Sequence, residues 1–319
     1  MNYQYILIPF IASLILTIII TMVFRFLGDR NYLGNLYTNV RGGTPRALGI
    51  VPFILLSFYF PSGFDDLIII IGIFAFFDDL VGRRTIGKLN IEWGQVSRGI
   101  GMVMVTIMGF PLLGYSSILI ALFVQPMNIS DMQPGSTSMV VIIMSLFIFL
   151  AMILFDTGSI SNIPGFNAFY VPLLVLSVCI GYSPLDFAGK IMLGEIGNHS
   201  FAIALGTCFF ILGGFWWTLI LFITTVVLIT LIRKNNLKRF FEKKMNLKNP
   251  TFGDYFMDIL TGGGLGDIFR RVLLGEKEYV FNNSILIIFG FRRLFYNPFA
   301  HKTSYTQNKN QVINILKKK

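Results

Sequence analysis

The residues best suited to chemistry are Asp78 and Asp79, which close the stretch Leu67 to Lys88. An apolar run ends there in two adjacent carboxylates, and a basic loop with Arg83, Arg84 and Lys88 follows. Carboxylates at a helix C-terminus sit against the negative end of the macrodipole, so local electrostatics disfavours them. Asp65 and Asp66 precede the same run, at the end where negative charge is welcome, and need no function. A costly pair at a membrane edge invites a bound cation. A solvated helix end is the plainer alternative.

Three further stretches carry polar chemistry. In Arg41-Gly42-Gly43-Thr44-Pro45-Arg46-Ala47-Leu48-Gly49, glycines let a backbone approach an anion while guanidinium groups bind it. Basic flanking of a membrane helix explains the same residues. Lys190-Ile191-Met192-Leu193-Gly194-Glu195-Ile196-Gly197-Asn198 sets a carboxylate between glycines just before a helix, where free N–H groups can receive phosphate. A turn with a solvated glutamate is its ordinary reading. The chain from Arg233 to Lys277 is strongly basic and includes Arg270 and Arg271, a pattern that normally only sets topology.

The elements that hold these stretches are membrane helices. Of 319 residues, 54% are hydrophobic and 13% charged, and the mean hydropathy is +0.70, which excludes an ordinary soluble domain. The net charge of +10 is confined to a few loops, so it speaks of topology and not of nucleic acid. Cys179 and Cys208 lie in apolar runs as buried, inert thiols. The N-terminal apolar run lacks a basic leader and reads as a first span, Ile6 to Leu27. Ala47 to Asp79 reads as a hairpin turning at Pro61-Ser62-Gly63, and Val96 to Met127 as a second one breaking near Gly109 to Gly114. Met139 to Phe155 and Ala168 to Tyr182 read as single spans, and Ser183 to Asn198 as a polar loop. His199 to Ile232 is a third hairpin, turning at Gly213-Gly214. Val280 to Tyr296 is weakly apolar, and a basic tail spans 297–319. The expectation is an all-α polytopic membrane protein of one domain, with about ten transmembrane helices and cytoplasmic catalytic loops. The count falls to nine if Val280 to Tyr296 lies on the membrane surface.

Together the four stretches resemble the polyprenyl-phosphate N-acetylhexosamine-1-phosphate transferase family, which includes the phospho-N-acetylmuramoyl-pentapeptide transferases. Arg41 to Gly49 is similar to that family's glycine- and proline-containing cytoplasmic stretch. Phe76 to Asp79 resembles its Phe-x-Asp-Asp, and Gly189 to Asn198 its Phe-Met-Gly-Asp-x-Gly-Ser, with Glu195 in place of the aspartate. The likeness covers roughly residues 35 to 280. Two segments resemble the family's Asn-x-x-Asp-Gly motif: Asn128-Ile129-Ser130-Asp131, and Gly165-Phe166-Asn167. The family's histidine-rich motif has no counterpart, since His199 and His301 both lie outside 233 to 277.

The resemblance implies transfer of a sugar-1-phosphate from a UDP-sugar to a polyprenyl phosphate, with release of UMP, in the plasma membrane. It implies Mg²⁺, or Mn²⁺, held by Asp79 and Glu195, with Asp78 orienting or deprotonating the lipid phosphate. Arg41, Thr44, Arg46, Arg84 and Lys88 would bind substrate phosphates, with Lys190, Arg270 and Arg271 in support and either Asp131 or Asn167 completing the site. A homodimer is compatible with this. The missing histidines also fit a catalytically impaired paralogue that acts as a partner or regulator. A transporter with an acidic cation site is the remaining alternative.

Overall fold

The computed structural model describes residues 4–86, 92–155, 169–245, 247, 249–262, 264–275, 277 and 279–297. It is almost entirely helical, and contacts divide it into two compact units, Met1–Leu228 and Ile229–Lys319. Among the described residues, five helices are long and apolar enough to cross a membrane. Their windows lie within α1 (Gln4–Gly28), α4 (Trp93–Leu113), α7 (Ser136–Leu154), α8 (Tyr170–Phe187) and α9 (Gly194–Lys244). Shorter helices are α2 (Ile50–Tyr59), α3 (Asp65–Val81), α5 (Ser116–Leu122) and α6 (Val124–Ser130).

The surface of α1 is that of a lipid-facing helix. Leu7, Ile11, Ile15, Ile18, Met22 and Phe26 are exposed, while Ser13, Thr17 and Thr21 are buried at a spacing of one turn. Apolar outside and small polar inside is the pattern expected when the solvent is hydrocarbon. Ser13 Oγ donates to Val178 O at 2.7 Å, and a Cβ on Gly181 would stand 2.6 Å from Phe10 O, so α1 and α8 touch through small residues. At the far end of this pair Arg25 Nη2 donates to Lys190 O at 3.2 Å. Tyr170 at the start of α8 donates through its hydroxyl to Tyr59 O, at the end of α2. One end of the bundle therefore gathers residues 29–49 and 190–198, and the other gathers the α2–α3 turn and the start of α8.

The α2–α3 hairpin turns at Pro61 to Gly63 as expected, with Gly63 at φ +88. The Val96 to Met127 region differs in detail. The helix runs unbroken through Gly109 and Pro111 to Leu113 and breaks at Gly114, where φ is +55. A proline in the last turn of a helix that begins at Trp93 removes one donor and does not end the helix by itself. The return leg is two short helices, α5 and α6. The expected polar loop from Ser183 shrinks to 188–193, because α8 continues to Phe187 with Asp186 buried and accepting from Ser138 Oγ at 2.6 Å. α9 is interrupted by non-helical Gly213 and Gly214. Phe209 and Phe222, on either side, both pack on Phe123 at 5.4 and 5.7 Å between ring centroids. An unbroken helix would separate those two positions by about 20 Å along its axis. The chain folds back there.

The second unit holds α10 (Phe252–Thr261), α11 (Gly264–Leu274), α12 (Ser284–Ile288) and α13 (Phe291–Leu294). A capping box of Thr251 and Asp254 starts α10, and Arg292 and Arg293 pair with Asp254 and Asp258, each at 2.5 Å. The weakly apolar Val280 to Tyr296 is not a span. Gly290, at φ +78, splits it into helices of 5 and 4 residues, and neither is long enough to cross.

Candidate functional site

The Arg41 to Gly49 loop reaches the Lys190 to Asn198 turn by main-chain hydrogen bonds. Met192 N donates to Pro45 O, Leu48 N to Met192 O and Gly49 N to Leu193 O, at 2.9 to 3.1 Å. Two glycines make the approach possible. A Cβ on Gly49 would stand 2.3 Å from Gly197 Cα and Leu193 O, and one on Gly197 would stand 2.7 Å from Gly49 Cα. A two-stranded hairpin of β1 (Tyr37–Thr38) and β2 (Thr44–Pro45) closes the loop.

The Asp79 carboxylate lies across the seam. It is wholly buried, and its two oxygens accept the N–H groups of Glu195 at 3.1 Å and Ile196 at 3.0 Å, in the first turn of α9. Its Oδ1 is 3.5 Å from Arg46 Nε. A carboxylate disfavoured by the end of its own helix is thus balanced by the positive start of another.

Asp78 and Glu195 meet at one guanidinium. Arg98 Nη2 is 3.0 Å from Asp78 Oδ2 and 3.1 Å from Glu195 Oε2, and Arg98 is only 8% exposed. His199 Nε2 lies 3.2 Å from the same Glu195 oxygen. In the amide orientation that satisfies both neighbours, Asn128 donates to Glu195 Oε2 at 2.9 Å and accepts from Arg98 Nη2 at 3.1 Å. Gly94, one turn before Arg98, makes room for this arrangement. A Cβ there would fall 1.7 Å from Asp78 Oδ1.

Asp131, at the end of α6, borders the cluster and accepts from Asn198 Nδ2 at 3.1 Å. Desolvation first, and the negative charge of Asp186 second, hold its carboxyl well above the ordinary carboxylate range.

The remaining expected residues divide clearly. Asp78, Asp79, Glu195, Arg46 and Asp131 come together. Thr44 is buried and spends its hydroxyl on Val40 O at 2.7 Å, within its own loop. Arg84 and Lys190 have exposed side chains in the loops flanking the cluster. Arg41 and Arg271 are described only in their backbones, and Lys88 and Asn167 lie outside the described residues. Arg270 belongs to the second unit, where its Nη1 donates to Thr261 Oγ1 at 3.3 Å. Arg98 and His199 are participants to which the sequence assigned no role, and Asn128 joins them from the motif-like segment that ends in Asp131. The signal for Arg98 was available: an ionisable residue inside an apolar span is a functional candidate by default.

The fit to a divalent ion is poor. Among the described residues, no group of three or more His, Cys, Asp or Glu side chains is arranged to hold a metal ion. Mg²⁺ wants oxygen ligands at about 2.0–2.1 Å in octahedral geometry. The facing oxygens of Asp78 and Glu195 are instead taken up by the Arg98 cation, and both Asp79 oxygens by main-chain N–H groups.

No protein-family model matches this chain, and no curated protein matches its sequence.

Proposed function

We propose that this chain transfers a sugar-1-phosphate from a UDP-sugar to a polyprenyl phosphate, releasing UMP, at the cytoplasmic face of the plasma membrane. The observation that supports it is the meeting of three distant stretches, 41–49, 78–79 and 190–198, in one seam. In the reaction a lipid phosphate oxygen attacks the sugar-linked phosphorus. The pyrophosphate bond breaks, and UMP leaves with the electron pair. Such transfers need positioning and positive charge more than covalent chemistry. Arg46, a quarter exposed, faces the substrate diphosphate, with Arg84 and Lys190 in the flanking loops, while Asp78 orients the lipid phosphate.

The proposed topology has nine segments that alternate in direction: α1, the short α2 that turns into α3, α3, α4, α5 with α6, α7, α8 and the two arms of α9. It leaves the N-terminus outside. It puts residues 29–49, 82–86, 131 and 188–193 on one side, where Arg30, Arg46, Arg83, Arg84 and Lys190 agree with positive-inside bias. In this topology Asp131 shares the face of the site.

The test is a panel of radiolabelled UDP-sugars offered to purified protein with undecaprenyl or dolichyl phosphate. UMP release that needs both substrates and disappears in Asp79→Asn is expected. Absence of release from every pair sinks the reading. A second reading, a relative that binds a UDP-sugar without turnover, is favoured by the pairing of both Asp78 and Glu195 with Arg98. Saturable binding with no UMP release would select it.

A further inference from the structure

We propose that Arg98 is the resident cation of the acidic site. Its guanidinium takes up Glu195, one of the two carboxylates to which the resemblance assigns a divalent ion, and joins it to Asp78, so Asp78 and Glu195 carry no metal. The argument starts from charge. Three carboxylates crowd one seam, and three like charges taken out of water are unfavourable without compensation. Asp79 is compensated by the start of α9 and by Arg46. Asp78 and Glu195 have no main-chain donors among the described hydrogen bonds, and the cation between them is a side chain of α4. Arg98 is buried, and Nη2 touches both carboxylates. Asn128 bridges Glu195 and the guanidinium and fixes both.

The placement of Arg98 is built by its neighbours. The bare Cα of Gly94 lets Asp78 press against α4 where any side chain would collide with Oδ1. Ser97, the residue before Arg98, donates to Phe74 O at 2.7 Å and pins α4 to α3. A divalent ion between Asp78 and Glu195 would share their oxygens with the guanidinium at about 3 to 4 Å. Repulsion at that range weakens its binding on the order of a hundredfold or more. Arg98 is a positioning residue here: it bridges the two carboxylates and offsets one of their two charges. The inference rests on the reading above only for its consequence for turnover, which should survive chelation.

The experiment reads metal binding and turnover separately. Mn²⁺ is titrated into purified full-length protein and followed by electron paramagnetic resonance, and the signal that counts is the one that Asp78→Asn removes. Wild type should show none, and UMP release, where present, should persist in EDTA. Arg98→Met should gain a Mn²⁺ site at least about a hundredfold tighter than any in wild type, and Arg98→Met with Asp78→Asn should lose it. Arg98→Lys, which keeps the charge, should exclude Mn²⁺ as wild type does. The proposal is overturned by stoichiometric Mn²⁺ in wild type that Asp78→Asn or Glu195→Gln abolishes, a result that needs no Arg98 variant to fold. A folded Arg98→Met that gains no site would overturn it equally. If no UDP-sugar is turned over under any condition the transferase reading fails, while the Mn²⁺ titrations still decide the role of Arg98.

Discussion

The two ends of α3 carry the same charge and live in different worlds. At the N-terminus Asp65 Oδ1 accepts the N–H of Gly63 at 2.7 Å and of Asp66 at 3.0 Å, so everything it needs lies within a few residues. At the C-terminus Asp78 is met by Arg98, 20 residues on, and Asp79 by N–H groups 116 and 117 residues on. The first pair agrees with the helix dipole and is satisfied by its own turn. The second opposes the dipole and is tolerable only because other helices bring compensating groups. A pair that local structure disfavours and tertiary structure rescues is where function concentrates.

Substitutions can break or sharpen this contrast. Asp79→Ala should have the largest effect, because it leaves two main-chain N–H groups in the seam without their acceptor and Arg46 without its partner. A loss of about 2–5 kcal/mol is expected, read as a lowered thermal unfolding midpoint in detergent, with UMP release abolished. An unchanged midpoint would mean that the seam does not depend on this carboxylate. Gly94→Ala should come next. Its Cβ must push Asp78 off Arg98, at a cost of about 1–3 kcal/mol, and UMP release should fall while the UDP-sugar is still bound. Full turnover in that variant would detach Asp78 from the chemistry. Asp65→Ala should matter least. It removes a first-turn negative charge and its local hydrogen bonds, worth about 0.3–1 kcal/mol, and UMP release should match wild type. A large loss of activity there would erase the difference between the two ends.

Much of the architecture was legible because hydrocarbon imposes long apolar runs and because glycine and proline interrupt them. The turns at Pro61 to Gly63 and at Gly213-Gly214 follow from that logic. The break at Gly114 was seen only approximately, since Pro111 competes for it in sequence yet fits within the last turn of α4. Asp186 was misplaced in a loop because its polarity hides the partner, Ser138, that lets it stay in a buried helix. In the site, the carboxylates stood out as charges at the edges of apolar runs. Arg98 carries a signal too, as a charge inside a span, and Asn128 opens a motif-like segment, but one charge or one amide in a helix says nothing of what it faces.

The sequence by itself determined that this is a helical membrane protein with its charges gathered at helix ends, because composition and periodicity are local properties that a bilayer reads directly. Only the tertiary structure decided what those charges do to one another. Whether a carboxylate meets a metal ion, an arginine or the start of a helix depends on distances across the fold, and close approach at Gly49, Gly94 and Gly197 is what sets them here. Coulomb energy falls with distance and rises with burial, and neither is written in the order of residues.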